Sequence, residues 1–355
     1  MSVRDVREGA LEPEEPISPE RREFLGAAGL VGAALMAGAG GLSLAEPAQA
    51  QAPTGQPWWP SRWGKDDQVG ATNHITPEKV LDAAKLIRDG KIYRIGRVSE
   101  ADMPKFGTRA FVMRIPSNPT GGPFGDNKLV YNDEYVATEI GQTGTQFDGL
   151  GHIGLQTGRD GDTAEMRYYN GFTGADIVGS TGLKKLGIEN VKPIFTRGHL
   201  IDVMAVKGAM MDAGQEVTLA DLRAALQRQN MREEDIRPGD AVFFNTGWGS
   251  LWLKDNARYN SGEPGPGMEV ARWMAERQIV VAGADSWAVE AVPNPDPKLV
   301  FPVHAELIVK NGIHIHENLV FDGLIADRKY QFVYIFCPVP MKGATGSPGG
   351  PIAVT

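Results

Sequence analysis

The sequence predicts an α/β fold: one domain whose central mixed sheet or barrel is flanked by helices. Three observations predict it. Short apolar runs alternate with segments of helical periodicity rather than with further strands. Ile279-Val280-Val281-Ala282 directly follows a helical segment and is apolar throughout, as a strand covered on both faces would be. No tandem repeat interrupts the alternation, and 355 residues with 42% hydrophobic content suffice for a sizeable core.

Before the domain comes a segment of different character. Ser18-Pro19-Glu20-Arg21-Arg22-Glu23-Phe24-Leu25 sets a twin arginine before a weakly hydrophobic run of Ala, Gly and Leu, which ends at Ala48-Gln49-Ala50. The pattern is that of a Tat export signal cleaved after Ala50. It predicts passage through the Tat translocase and a periplasmic or secreted location; many glycines make the run a poor permanent span. Residues 51–62 (QAPTGQPWWPSR) are Pro-rich and aromatic, and predict an extended arm wrapping another surface, with the catalytic domain occupying 63–355.

The formal charge is −8 and the pI near 5.4. Without the leader, 32 Lys+Arg stand against 36 Asp+Glu, leaving −4. No basic field of the kind phosphate backbones require is present, which excludes nucleic acid as a partner. Cys337 is the only cysteine, so no intrachain disulfide can form even in an oxidising compartment; within Tyr334-Ile335-Phe336-Cys337 it reads as a core filler.

Along the domain, Thr76-Pro77 opens a helix that Gly90 closes, with Val80, Leu81, Ala84, Leu86 and Ile87 apolar. Thr218 and Asp221 form a capping box ahead of a second helix. Gly267 to Gln278 predicts a third. Strands are expected at Ile194-Phe195 with 199–204, at 241–244, at 279–282 and at 331–336. Pro302 starts and Gly312 stops a further helix, and Ile313 to Leu319 follows as a strand.

The chemistry concentrates in GQTGTQFDGLGH, residues 141–152. In an extended chain Gln142, Gln146 and Asp148 share one face, Gly144 leaves space between them, and Gly149-Leu150-Gly151 can return His152 to the same point. A plainer reading pairs the glutamines across a sheet and lets Asp148 cap a following helix. The stretch 302–319 adds His304 in a helix's first turn and Glu317 near a strand end. Glu317 points with Ile313 and Ile315 while His314 and His316 point the other way, so Glu317 or His316 faces the site, not both. His74 and His199 read as structural, and the glycines of 343–350 lack the strand-to-helix frame and lysine of a phosphate loop.

These residues resemble the metal-dependent cyclase family that includes bacterial kynurenine formamidases and isatin hydrolases, whose signature is H-x-G-T-H-x-D-x-P-x-H. Here it reads Gln142-Thr143-Gly144-Thr145-Gln146-Phe147-Asp148-Gly149-Leu150-Gly151-His152, with glutamine at both leading histidines and Leu150 at the proline. WGKDDQVGATN (63–73), RGHLIDV (197–203), GDAVFFNTGW (239–248), GADS (283–286), HAELIVKNGIHIHENL (304–319) and KGATGSPGGPIAV (342–354) are similar to family blocks in family order. The resemblance implies a swivelling β/α/β fold, Asp148, His304 and Glu317 as metal ligands and His152 as the general acid/base.

An amide oxygen is a weak, hard donor, so Gln142 and Gln146 would bind a metal less tightly than imidazoles do. The expectation is one divalent ion, Mn or Zn, with Mg a further candidate. The function implied is hydrolysis of an amide or lactone carbonyl, arylformamidase-like. A cyclase or dehydratase, metal-assisted or metal-free, and a non-catalytic small-molecule binder are the alternatives. Trp63, Phe147, Thr246, Trp248 and Ser286 are expected around a substrate with an aromatic ring. The family's habit and the aromatic arm suggest a homodimer.

Overall fold

The computed structural model describes residues 57–355; the export signal and residues 51–56 of the arm lie outside the described residues. Nine strands form one mixed sheet: β1 (Ile92–Arg94), β2 (Gln146–Asp148), β3 (Ile194–Asp202), β4 (Ala241–Asn245), β5 (Val281–Ala284), β6 (His314–Glu317), β7 (Gln331–Phe336), β8 (Gly346–Pro348) and β9 (Ile352–Val354). Their spatial order is β1-β9-β7-β3-β4-β5-β6-β2-β8, curled into a half-barrel. Strands β3 to β6 run parallel. The flanking pairs are antiparallel, including β6 with β2, where Ile315 lies opposite Asp148 and Glu317 opposite Gln146.

The centre of the sheet follows from its residue types. Every residue of β4 (AVFFN) and β5 (VAGA) is buried, as expected where both faces are covered. Phe243 packs against Phe321, Phe332 and Tyr334, with ring centroids 4.9–6.1 Å apart. Strand β3 runs unbroken through Gly198, where the expected pattern had two pieces. The reason is close packing: a Cβ at Gly198 would come within 2.5 Å of the Phe332 ring.

Four of the helical segments among the described residues are those the sequence predicts. In α1 (Pro77–Ala84) Thr76 caps by accepting Lys79 N. It ends well before Gly90 because residues 85–87 close with i→i+3 bonds, and Leu81 and Ile87 stay exposed with nothing packed on them. Helix α2 (Leu219–Arg228) carries the predicted Thr218/Asp221 capping box, and α3 (Met268–Glu276) starts after Gly267. Helix α4 begins at Pro302–His304 and continues as a π-helical segment, Ala305–Lys310, before Gly312 turns left-handed at φ +63°. Among the described residues no helix is long and apolar enough to cross a membrane.

One expectation is corrected here. Cys337 is exposed, because β7 ends at Phe336 and the chain leaves the core at that point. The described part of the arm packs on its own chain: Ser61 N donates to Asn170 Oδ1 at 2.6 Å, and the Tyr169 hydroxyl bonds both Ser61 and Asp67.

Candidate metal centre

Strand β2 and the carboxyl end of β6 bring the chemistry together. The chain from 141 to 145 is turn rather than strand, with left-handed backbone at Gln142 (φ +61°) and Gly144 (φ +71°). The extended geometry expected from 142 onward holds only for 146–148. The turn nonetheless reaches β6, because Asn318 Nδ2 donates to Gly144 O and Thr145 Oγ1 donates to Asn318 O, at 2.8 and 2.9 Å.

Glu317, not His316, faces the centre, as the strand alternation requires. Asp148, His304 and Glu317 are all buried, and their ligand atoms lie within 4.8 Å of one another. His304 Nε2 is 3.7 Å from Asp148 Oδ2 and 3.6 Å from Glu317 Oε1. His152, returned by the Gly149–His152 turn, places Nε2 3.8 Å from Asp148 Oδ1 and is the partly exposed member. Gly149 must lack a side chain there, since a Cβ would lie 2.7 Å from Thr345 O; the glycine-rich segment before β8 is the wall behind this turn.

The two glutamines hold the carboxylates. An ionised carboxylate only accepts, so each amide must present its NH₂. Gln146 Nε2 donates to Asp148 Oδ1, and Gln142 Nε2 to Glu317 Oε2 at 2.8 Å. Gln146 Oε1 accepts the backbone N–H of Gln142, which leaves one lone pair of that oxygen for an ion. Asp148 Oδ2, Glu317 Oε1 and Gln142 Oε1 are buried with no hydrogen-bond partner among the described residues.

Such orphaned oxygens are costly in a protein interior unless a cation meets them. One imidazole and two carboxylates suit a divalent ion, so the residues present fit a metal. Burial, and then the charge of Asp148, push the Glu317 carboxyl well above the usual range. Burial opposes protonation of His304, but Glu290, Glu317 and Asp148 outweigh it and raise the imidazole to about 10. The His304 shift reports the surrounding negative charge, and the Glu317 shift reports burial first and that charge second.

Glu290 was not legible in the sequence. Its Oε1 accepts His304 Nδ1 at 2.6 Å and His304 N at 2.8 Å, while Oε2 accepts Val303 N at 3.1 Å. This fixes the ring so that Nε2 points at the two carboxylates, the outer-shell arrangement that orients metal-ligating histidines. Glu290 lies in an irregular loop behind Val289, whose φ of +63° is a rare conformation for a β-branched residue. Glu290→Gln is expected to weaken metal binding about 10- to 100-fold, read by competition with a chelator. An unchanged affinity would remove Glu290 from the design.

His316 lies on the opposite face, with Nδ1 2.6 Å from Tyr334 Oη and its ring against Phe147 and Phe336. Burial pushes its imidazole down to about 3. Between there and the unfolded value of about 6.5 the unfolded chain binds the extra proton, so stability falls as pH drops through that window. Denaturant melts at about pH 7.5 and about pH 5 should show a smaller acid loss for His316→Gln than for the unaltered protein.

The expected substrate wall needs correction. Phe147 is fully buried, stacked on His314 at 4.8 Å on the face away from the centre, because it alternates with Gln146 and Asp148 along β2. Trp63 packs on His74 and lines a separate cavity of about 220 Å³ near Ile313, at the amino end of β6, whereas the centre is at the carboxyl end.

The other three expected contacts, Thr246, Trp248 and Ser286, are buried and tie loops together. Thr246 Oγ1 donates to Asp285 Oδ1 at 2.7 Å, Trp248 Nε1 to Tyr259 O at 3.2 Å, and Ser286 O accepts Asn318 N at 2.8 Å. Aromatic rings do approach the centre from another direction. Phe301 sits edge-on to His304 at 5.4 Å, Trp287 packs on Phe301 at 6.4 Å, and the half-exposed Phe106 stacks on Trp287 at 4.8 Å. His199 is structural as expected, bonded to Asp240 at 2.8 Å.

A half-barrel α/β domain with a buried imidazole and two bare carboxylate oxygens at one strand end defines a protein built around a candidate metal site. Residues 93–291 match the family described as "Putative cyclase", and the chain belongs to this cyclase family. A crystal structure described as a novel cyclase is 32% identical, with a TM-score of 0.70 over 82% of this chain and 98% of its own. Isatin hydrolase A from Ralstonia solanacearum shares the fold at 20% identity and a TM-score of 0.56, covering 79% of this chain and 98% of its own. Isatin hydrolase A from Labrenzia aggregata, bound to benzyl benzoate, does so at 21% and 0.53, covering 76% and 94%. A comparison with curated proteins gives no match.

Proposed function

We propose that the chain is an exported metal-dependent hydrolase of an amide or lactone carbonyl, of arylformamidase type, working with one divalent ion, Mn or Zn. The observation that carries this reading is the pair of buried carboxylates, each with one oxygen held by a glutamine amide and the other bare toward His304 Nε2. A divalent ion held by Asp148, His304 and Glu317 supplies Lewis acidity to a carbonyl oxygen and acidity to water.

The chain's own residues supply the rest. His152, beside Asp148 and open to solvent, takes the proton from the attacking water; its oxygen bonds to the carbonyl carbon. As the C–N or C–O bond breaks, His152 returns that proton to the leaving nitrogen or oxygen. Phe301 and Phe106, backed by the buried Trp287, offer an aromatic substrate an apolar wall.

The test is metal content of protein purified without added metal, followed by turnover of formanilides and lactones before and after chelation. Stoichiometric metal, with activity lost on chelation and restored by Mn or Zn, supports the reading. Turnover that survives chelation would favour a metal-free cyclase or dehydratase, and metal without turnover a binding protein.

The homodimer belongs to the same proposal. Two ribbons, Phe111–Arg114 with Tyr135–Thr138 and Gly121–Phe124 with Leu129–Tyr131, expose Met113, Phe124, Val130 and Tyr135 by more than half. A bare two-stranded ribbon is marginal in water, and a second copy of the chain would cover it. Light scattering of the unaltered protein and of Tyr135→Asp should give a dimer and a monomer respectively; a monomer in both would count against it.

A further inference from the structure

Parallel strands β3, β4 and β5 end side by side at Asp202, Asn245 and Ala284. Beyond these carboxyl ends, where open α/β sheets meet their ligands, lies a crevice of about 730 Å³. That volume is within the range of small-molecule sites. Neither Asp148, His152, His304 nor Glu317 lines it.

Its floor is rich in acceptors. Asp202 is only 5% exposed, and its Oδ1 takes both of the carboxylate's bonds, from Asn245 Nδ2 at 2.7 Å and Ala205 N at 3.3 Å. Asp202 Oδ2 has no partner among the described residues. Asn245, with its amide nitrogen committed to Asp202, also keeps a free carbonyl oxygen. A charged oxygen beside an amide oxygen calls for a ligand that donates hydrogen bonds, and an ammonium has three donors and no acceptor.

The accessible walls are apolar, formed by Met204, Val320 and Ile325. Two cations border the crevice: the exposed Lys254, and Arg97, which lies over the Trp252 ring at 4.6 Å and donates Nη2 to Gly249 O and Leu319 O at 3.1 and 3.2 Å.

We propose that this crevice is a second binding site, for an amphipathic organic cation whose primary ammonium sits on Asp202 Oδ2 and Asn245 Oδ1 with its aryl or alkyl body against Met204 and Ile325. Calorimetric titration of the full chain with phenethylamine, and with 3-phenylpropionate as an anion of similar body, tests it. Phenethylamine should bind one-to-one and more tightly than the anion. Affinity should fall roughly tenfold or more in Asp202→Asn and in Ile325→Trp, which fills the crevice without touching its acceptors, and should be unchanged in Asp148→Ala. No saturation up to about 10 mM, equal binding of the anion, or binding indifferent to Ile325→Trp would overturn the proposal. Loss on Asp148→Ala alone would place the amine at the metal centre and overturn it equally.

Discussion

Replacing His152 by alanine is expected to lower kcat by about 10²–10⁴ while metal content stays stoichiometric, because proton transfer is lost and the ligand set is not. Its Nε2 stands 3.8 Å from Asp148 Oδ1, and it alone among the centre's four imidazole and carboxylate side chains is partly exposed, so it can exchange its proton with solvent. Asp148, His304 and Glu317 are buried behind it. Metal titration and steady-state kinetics on the same preparation separate the two roles. If the variant loses its metal together with its activity, His152 is a ligand and the proton must travel by another route.

The second large effect concerns stability. Phe147→Ala should cost about 3–5 kcal/mol in denaturant unfolding, the usual cost of emptying a buried phenylalanine site. The ring is fully buried among His314, His316 and Phe336. Phe301→Ala, by contrast, removes the ring that meets His304 edge-on and should raise KM for an aryl substrate while leaving the unfolding midpoint nearly in place. A stable Phe147→Ala protein with a raised KM would restore the substrate role first expected for that residue.

What the sequence revealed of the centre was whatever depends on local period. Alternation along 313–317 put Glu317 opposite to His314 and His316, and the structure keeps that order. The caps at Thr76 and Thr218 and the strand at 331–336 were legible for the same reason, since each is set by residues three or fewer positions apart. What escaped was whatever depends on distant contact. The role of Gln142 as a donor to a carboxylate shows only once its amide is seen on Glu317, 175 positions away. Glu290 gives no periodic signal, and its partner His304 lies fourteen residues away. Phe147 is an exception, since the alternation that sets Gln146 and Asp148 on one face of β2 already turns its ring away from the centre. Leu81 shows the converse: its helical spacing is right, yet no partner arrives to cover it.

The backbone at Val289 carries a wider implication. A branched side chain held at φ +63° works like a loaded spring, at a standing cost of about 1–3 kcal/mol. Glycine there would relax the backbone, but the Val289 side chain is fully buried in the core, so its loss would offset that relief and leave a slacker brace on the imidazole at 304. The rare conformation is therefore clamped from two sides, by the core that the valine fills and by the carboxylate that aligns the imidazole, and no single change at this peptide unit frees one without loosening the other.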